Sequence, residues 1–192
     1  MVLRAVVLLL VMITGVSTLS MSALAGRKRV VIFGATGYIG KYVVKESVRR
    51  GFDSKCHHTM LLPNSSHASY SLLYVAAVAV VREGSKVRED YLSGAEIVVS
   101  DVTSEENILS TALSKPADVV ISCLASRSGV RKDAFAIDYQ ATLNCLSAAR
   151  AKRASQFILL SAFCVKKPLL QFQKAKLQFE DKLVNAGDIK YR

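Results

Sequence analysis

A glycine-rich loop between an apolar run and a helical run constrains the fold more than any other feature. The apolar run Val-Val-Ile-Phe occupies positions 30–33, and the loop behind it spaces Gly34, Gly37 and Gly40 as G-x-x-G-x-x-G. A short, unbroken run rich in β-branched residues is typical of a strand buried on both faces. Positions 41–50 carry apolar residues at helical spacing. The segment therefore predicts a strand, a tight loop and a helix in direct succession.

The same alternation continues along the chain. Apolar runs predict strands at 75–81, 95–100, 118–124 and 156–161 and the opening of a sixth at 188–192; amphipathic runs predict helices at 105–114, 133–152 and 168–184. We expect Thr103 or Ser104 to cap the first of these helices and Pro168 to open the last. Strands that alternate with helices indicate a parallel sheet covered on both faces. The prediction is an α/β fold, a doubly wound parallel sheet of the Rossmann type, incomplete at its carboxyl-terminal edge.

Two segments do not belong to this pattern. Residues 1–25 have the layout of a secretory-type leader: Arg4, an apolar run and Ala-Leu-Ala at the end. The apolar run is about 12 residues, against about 20 needed to span a bilayer, so we expect cleavage, with an uncleaved anchor as the alternative. Residues 54–74 form a polar stretch much longer than a helix-to-strand connection needs, which predicts an insert. The domain proper is predicted at 27–192.

Composition excludes several classes of protein. The chain has 26 Lys+Arg against 15 Asp+Glu, a net charge of +11, but the basic residues are scattered among acids and no nucleic-acid-binding motif accompanies them. We therefore expect no nucleic-acid partner. The four cysteines lack a paired spacing, which argues against a disulfide framework. Cys56, His57, His58 and His67 lack the spacing of zinc ligands, so no metal is expected.

The glycine loop predicts a dinucleotide site. Glycines let the backbone approach a pyrophosphate, and the amino terminus of the following helix supplies N–H groups and the positive end of its dipole. A tight turn that binds nothing is the alternative. The cofactor-binding residues expected here are Gly34, Thr36, Gly37, Tyr38, Ile39 and Gly40.

The residue after the second strand selects the cofactor, because an acid there binds a ribose hydroxyl and an arginine accommodates a 2′-phosphate. Arg82 lies 42 residues past Gly40, or 21 once residues 54–74 are set aside, close to the expected spacing of about 20. The sequence therefore favours NADPH. The alternative is that Arg82 is an ordinary solvated loop charge.

Residues at the ends of the third and fourth predicted strands are further cofactor candidates. Ligands of open parallel sheets lie outside the carboxyl ends of the strands. The candidates for adenine and ribose contacts are Asp101, Val102, Cys123, Leu124 and Ala125. Asp101 is equally suited to capping the next helix.

Five segments together carry a family resemblance. They are Gly-Ala-Thr-Gly-Tyr-Ile-Gly at 34–40, Ile-Ser-Cys-Leu-Ala-Ser-Arg at 121–127, Ile-Asp-Tyr-Gln-Ala-Thr at 137–142, Leu-Leu-Ser-Ala at 159–162, and Lys-Pro-Leu-Leu-Gln-Phe-Gln-Lys-Ala-Lys at 167–176. The chain resembles the atypical short-chain dehydrogenase/reductases, in particular the branch that reduces a vinyl group in chlorophyll synthesis. The resemblance covers residues 28–53 and 75–191. It implies NADPH-dependent reduction of a conjugated C=C bond, a tetrapyrrole substrate and a plastid location, which the secretory-type leader predicted at 1–25 would serve. It also implies peripheral association with plastid membranes, and cofactor contacts by Ser161 and Lys176.

The chain departs from the usual Tyr-x-x-x-Lys pair of this superfamily. Phe172 stands in the tyrosine position, while Lys176 is retained and is the candidate catalytic residue, holding the nicotinamide ribose. Phenylalanine cannot protonate a carbonyl oxygen, which suits reduction of a C=C bond instead. Water, a part of the family's longer chain, or Tyr139 are the candidate proton sources. The alternative for Lys176 is a solvated helix lysine.

Other departures leave two alternative functions open. Three expected features separate this chain from the family: the insert at 54–74, the lack of a longer transit region, and the absence of a carboxyl-terminal half. In the family, that half builds much of the substrate pocket. The first alternative is a non-catalytic NAD(P)-binding regulator or scaffold. The second is a reductase of another small molecule, such as a phenylpropanoid double bond.

Overall fold

The computed structural model describes residues 28–50, 76–85 and 89–192. The leader at 1–25 and the insert at 54–74 lie outside the described residues, and with them Cys56, His57, His58 and His67. In the described part of the chain, no helix combines the length and the apolar character needed to cross a bilayer.

The described residues build one parallel sheet. Its strands are β1 (Arg29–Phe33), β2 (Ala76–Val81), β3 (Glu96–Val99), β4 (Val119–Ser122), β5 (Gln156–Leu159) and β6 (Lys190–Tyr191). They lie in the order β3-β2-β1-β4-β5-β6, and every neighbouring pair is parallel. This is the doubly wound order, so the predicted fold class is confirmed. β2 and β3 extend the sheet from one side of β1, and β4 to β6 extend it from the other side. The sheet therefore changes its direction of growth between β1 and β4, where such sheets open a crevice for ligands.

Helices cover both faces of the sheet. They are α1 (Gly40–Arg49), α2 (Glu89–Leu92), α3 (Glu105–Ser110), α4 (Arg131–Ala134), a π-helix (Phe135–Ala141), α5 (Thr142–Ala151) and α6 (Gln171–Val184). The Ser104 side chain accepts a hydrogen bond from the backbone N–H of Asn107 at 3.2 Å, which confirms it as the cap of α3.

Two helix boundaries and the type of one helix differ from the prediction. The last helix begins at Gln171, so the prediction that Pro168 opens it was wrong. Extended backbone at Leu170 starts the helix instead. The helix predicted at 105–114 ends at Ser110. The long helix predicted at 133–152 is divided into α4, the π-helical segment and α5.

Successive residues of the strands enter two separate core layers. On β1, Val31 and Phe33 face α3, α5 and α6, whereas Val30 and Ile32 face α1 and α2. Both sets are completely buried. An unbroken apolar run results because neither face of the strand reaches solvent. Two free cysteines are buried among these layers, and Cys164 is a free thiol at the surface.

Candidate cofactor site

The glycine positions of the loop are packed too tightly to carry side chains. Gly34 has φ +76°, and a Cβ placed on it would lie 2.7 Å from the carbonyl oxygen of Cys123. A Cβ on Gly40 would lie 2.1 Å from the carbonyl oxygen of Gly34. The backbone N–H of Gly37 donates to the same Gly34 oxygen at 3.0 Å. The loop therefore runs against the end of β4 as bare backbone, and α1 begins directly on top of it.

This geometry fits a dinucleotide pyrophosphate. The glycine loop, with the start of α1, forms a cradle that Cβ atoms at Gly34 and Gly40 would fill. The first turn of α1 carries Lys41 and no acidic residue. The positive end of the helix dipole is thus left uncompensated by any side chain of that turn. Thr36 and Ile39 are half-buried around the loop, and Tyr38 is 71% exposed beside it.

Arg82 and Asp101 follow β2 and β3 at the same edge of the sheet. Arg82 is exposed, and its carbonyl accepts a turn hydrogen bond from Ser85. Asp101 Oδ1 accepts hydrogen bonds from the backbone N–H and the hydroxyl of Thr103, at 2.9 and 2.7 Å, and these bonds lower the pKa of that carboxyl. Asp101 thereby shapes the turn before α3, while Ser104 caps the helix itself. Cofactor contacts by Arg82 and Asp101 stay predictions.

The end of β4 supplies backbone groups to the site more than side chains. Cys123 is buried, and its burial raises the pKa of the thiol to about 12, so it is no nucleophile at neutral pH. Its carbonyl oxygen faces Gly34. Leu124 is also buried, Ala125 is exposed, and Val102 at the end of β3 is half-buried against the core. Cofactor contacts by these four residues stay predictions.

Lys176 lies inside the protein. It is 4% exposed, so its interpretation as a solvated helix lysine was wrong. Its Nζ donates to the carbonyl oxygens of Leu124 at 3.0 Å and Leu160 at 3.1 Å. Since these residues follow β4 and β5, the ammonium group joins the carboxyl ends of two neighbouring strands. Its contact with the cofactor remains a prediction.

Asp138 is the residue that sequence reasoning missed. Its side chain is completely buried, and Oδ1 lies 3.4 Å from Lys176 Nζ. Oδ2 accepts a hydrogen bond from the backbone N–H of Ser126 at 3.1 Å. A buried ammonium needs a compensating charge, and this carboxylate supplies it. The only signal in the sequence is a single acid inside an apolar helical run.

The remaining predicted residues have local partners. The Ser161 hydroxyl donates a hydrogen bond to the Glu180 carboxylate on α6. Tyr139 is half-buried against the core with its ring centroid 6.4 Å from that of Phe135, a packing arrangement. Phe172 is half-buried one turn before Lys176. The structure thus brings together the glycine loop, the end of β4 and Lys176, with Arg82 and Asp101 further along the same edge. Among the described residues, no cluster of three or more His, Cys, Asp or Glu could hold a metal ion.

Comparison with known proteins gives a consistent picture. A family model described as NAD(P)H-binding matches residues 34–187. The chloroplastic divinyl chlorophyllide a 8-vinyl-reductase of Cucumis sativus is 45% identical over 167 residues, covering 82% of this chain and 35% of that protein. The Zea mays protein of the same name is 42% identical over 166 residues, covering 83% and 36%. The chain spans about a third of the length of these curated relatives.

A solved structure of UDP-galactose 4-epimerase superposes with a TM-score of 0.61 at 21% identity, covering 80% of this chain and 50% of that one. At this identity, the likeness shows the fold alone.

Proposed function

The chain belongs to the NAD(P)H-binding family, and from this membership we propose that it is an NADPH-dependent reductase of the 8-vinyl group of divinyl chlorophyllide, acting in a plastid. The observation that carries the proposal is the identity of 45% and 42% with reductases of that name over four-fifths of the chain. Both relatives are described as chloroplastic. The glycine cradle supports the cofactor part of the proposal independently.

The residues that would hold the cofactor have distinct tasks. The backbone around Gly34 and Gly40 would receive the pyrophosphate at the start of α1. Arg82 would pair with a 2′-phosphate, and this expected pairing is the basis for proposing NADPH over NADH. Lys176 would orient the ribose next to the nicotinamide. NADPH, when bound, supplies the hydride.

Phe172 supports reduction of a C=C bond. Conversion of a vinyl group to ethyl adds one hydride and one proton, both to carbon. A conjugated macrocycle spreads the charge left after hydride addition, so no acid is required at the position of Phe172. A carbonyl reductase, in contrast, needs a proton donor there.

A second candidate is a non-catalytic NAD(P)-binding regulator of the same fold. The observation that favours it is the engagement of Lys176, whose Nζ already donates to two carbonyl oxygens and faces Asp138. Peripheral association with plastid membranes remains a prediction under either candidate.

The proposal is tested by cofactor titration followed by turnover. We expect NADPH to bind more tightly than NADH, and Arg82→Ala to weaken NADPH roughly tenfold, about 1.4 kcal/mol, without changing NADH. Lys182→Ala, at an exposed position near the end of α6, is the control. Equal affinity for both cofactors would overturn the choice of NADPH. Conversion of divinyl chlorophyllide with NADPH supports the reductase, whereas NADPH binding without turnover supports the regulator.

A further inference from the structure

The loop at 160–170, between β5 and α6, exposes large apolar side chains beside the proposed cofactor site. Phe163 is 91% exposed, Leu169 85% and Leu170 56%. The loop begins at Leu160, whose carbonyl oxygen accepts the hydrogen bond from Lys176, so it lies at the carboxyl edge of the sheet. Clustered exposed apolar side chains mark binding surfaces, whereas isolated ones are ordinary.

A buried glutamine brings the backbone of these three residues together. Gln173 is 8% exposed, and its Oε1 accepts hydrogen bonds from the backbone N–H groups of Leu169 and Leu170, both at 2.9 Å. Its Nε2 donates to the carbonyl oxygen of Phe163 at 2.9 Å. Three exposed apolar residues are therefore anchored around one side-chain amide. The surface is preorganised, which lowers the entropy lost when a ligand binds.

The middle of the loop is a turn that displays two cations. The backbone N–H of Lys167 donates to the Cys164 carbonyl at 3.0 Å, and Cys164 has φ +59°. A non-glycine residue adopts this left-handed conformation only where its surroundings impose it. Lys166 and Lys167 are both exposed on this turn. Two ammonium groups therefore lie on the same loop as the three exposed apolar residues.

We propose that the loop at 160–170 is the surface that receives the tetrapyrrole. The flat macrocycle would lie on Phe163, Leu169 and Leu170, and its propionate carboxylate would pair with Lys166 or Lys167. This inference rests on the proposed function and names the residues that would recognise its substrate. Charge complementarity selects the occupant, because a chlorophyllide combines one large apolar face with a free carboxylate at its edge.

The test compares two pigments that differ only in that carboxylate. Pheophorbide a and its methyl ester are titrated into the purified chain with NADPH present, and binding is followed by pigment fluorescence. Phe163→Ser and Leu169→Ser should each weaken both pigments roughly tenfold, because they remove apolar contact. Replacing Lys166 and Lys167 together by alanine should weaken the acid several-fold, on the order of a single exposed ion pair, and leave the ester unchanged.

Controls separate this inference from the proposed function. Val184→Ser changes a side chain that is 54% exposed at the end of α6, outside the loop, and should alter neither pigment. All variants should bind NADPH as the parent does, since none lies in the glycine cradle. A parent chain that binds no NADPH would overturn the proposed function.

Two outcomes overturn the inference and leave the proposed function standing. In the first, the parent chain binds NADPH but no pigment; in the second, every loop variant binds both pigments as well as the parent does. It is also overturned if Phe163→Ser changes the sedimentation mass of the protein but not its pigment affinity. The loop would then be a contact between two copies of this chain.

Discussion

The glycine loop and the loop at 160–170 reach the same edge of one sheet but are shaped by opposite means. In the glycine loop, Gly34 and Gly40 approach each other and the end of β4 because they carry no side chains. In the second loop, the side chains of Lys176 and Gln173 extend from α6 and bind its backbone carbonyl and N–H groups. The shape of the first loop depends on the absence of Cβ atoms, and the shape of the second depends on buried polar side chains.

The difference determines how each loop tolerates change. A Cβ added at Gly34 meets the backbone of Cys123 at the end of β4, and one added at Gly37 or Gly40 meets the backbone of the loop itself. The second loop leaves its own side chains free to vary, because its shape depends on two residues of a neighbouring helix. The first construction suits a fixed cofactor cradle, and the second suits the substrate surface that we propose for this loop.

Removing the buried ammonium group should have the largest effect. Lys176→Met leaves the buried carboxyl group of Asp138 without its partner, and we expect a loss of about 3–5 kcal/mol in the free energy of unfolding, measured by urea denaturation. Adding Asp138→Asn should restore part of the loss. Lys174→Met, exposed on the same helix, is the control. If the double variant is no more stable than Lys176→Met, the loss of stability does not come from the broken ion pair.

Substitution in the cradle should come next. Gly40→Ala forces a Cβ to within 2.1 Å of a backbone oxygen, and we expect a loss of about 2–3 kcal/mol together with loss of NADPH binding. Gly129→Ala is the control for backbone strain without a close contact, because its φ is +70° and nothing lies within 4 Å of the added Cβ; it should lose about 1 kcal/mol. Equal losses in the two variants would refute the close-contact explanation.

Releasing the second loop should cost less. Gln173→Leu removes three hydrogen bonds to the loop backbone, and since Leu169 and Leu170 can turn their N–H groups to water we expect about 1–2 kcal/mol. Their amide hydrogens should exchange faster, which is measurable by hydrogen exchange. Gln178→Leu on the exposed side of α6 should change neither quantity. Unchanged exchange in Gln173→Leu would mean that the loop holds its shape without this side chain.

The smallest expected effect concerns the far end of α1. Hydrogen bonds from Arg49, and then from Arg50, hold the pKa of Glu46 down to about 2 from its ordinary 4.5. A depressed carboxyl pKa contributes stability that is present above pH 4.5 and is lost as the pH falls toward 2.

Glu46→Gln should therefore flatten the pH dependence of the unfolding free energy in that window while leaving NADPH binding intact. Glu106→Gln, at an exposed position on α3, serves as the reference. An unchanged slope in Glu46→Gln would assign the acid sensitivity to other carboxyl groups.

The two loops were not equally predictable from the sequence. The cradle is a local pattern: a strand, three glycines and a helix within about 20 residues, so periodicity and spacing predict it. The parallel sheet follows from the same alternation of elements. The partnership of Asp138 with Lys176 joins residues 38 positions apart, on a π-helix and on α6. No spacing rule connects them, because they meet only when both helices pack on the sheet.

The central position of β1 has a consequence for synthesis of the chain. The backbone N–H of Arg29 donates to Asp118 Oδ2 at 2.6 Å, across 89 positions of sequence, and its side chain binds the carbonyl oxygens of Ala112 and Lys115. On a ribosome, β1 therefore emerges long before β4, the neighbour that closes one of its edges. Until residue 122 has been translated, that edge is open to pairing with a foreign strand, so we expect the nascent chain to be exposed to misassembly for as long as β4 has not been made.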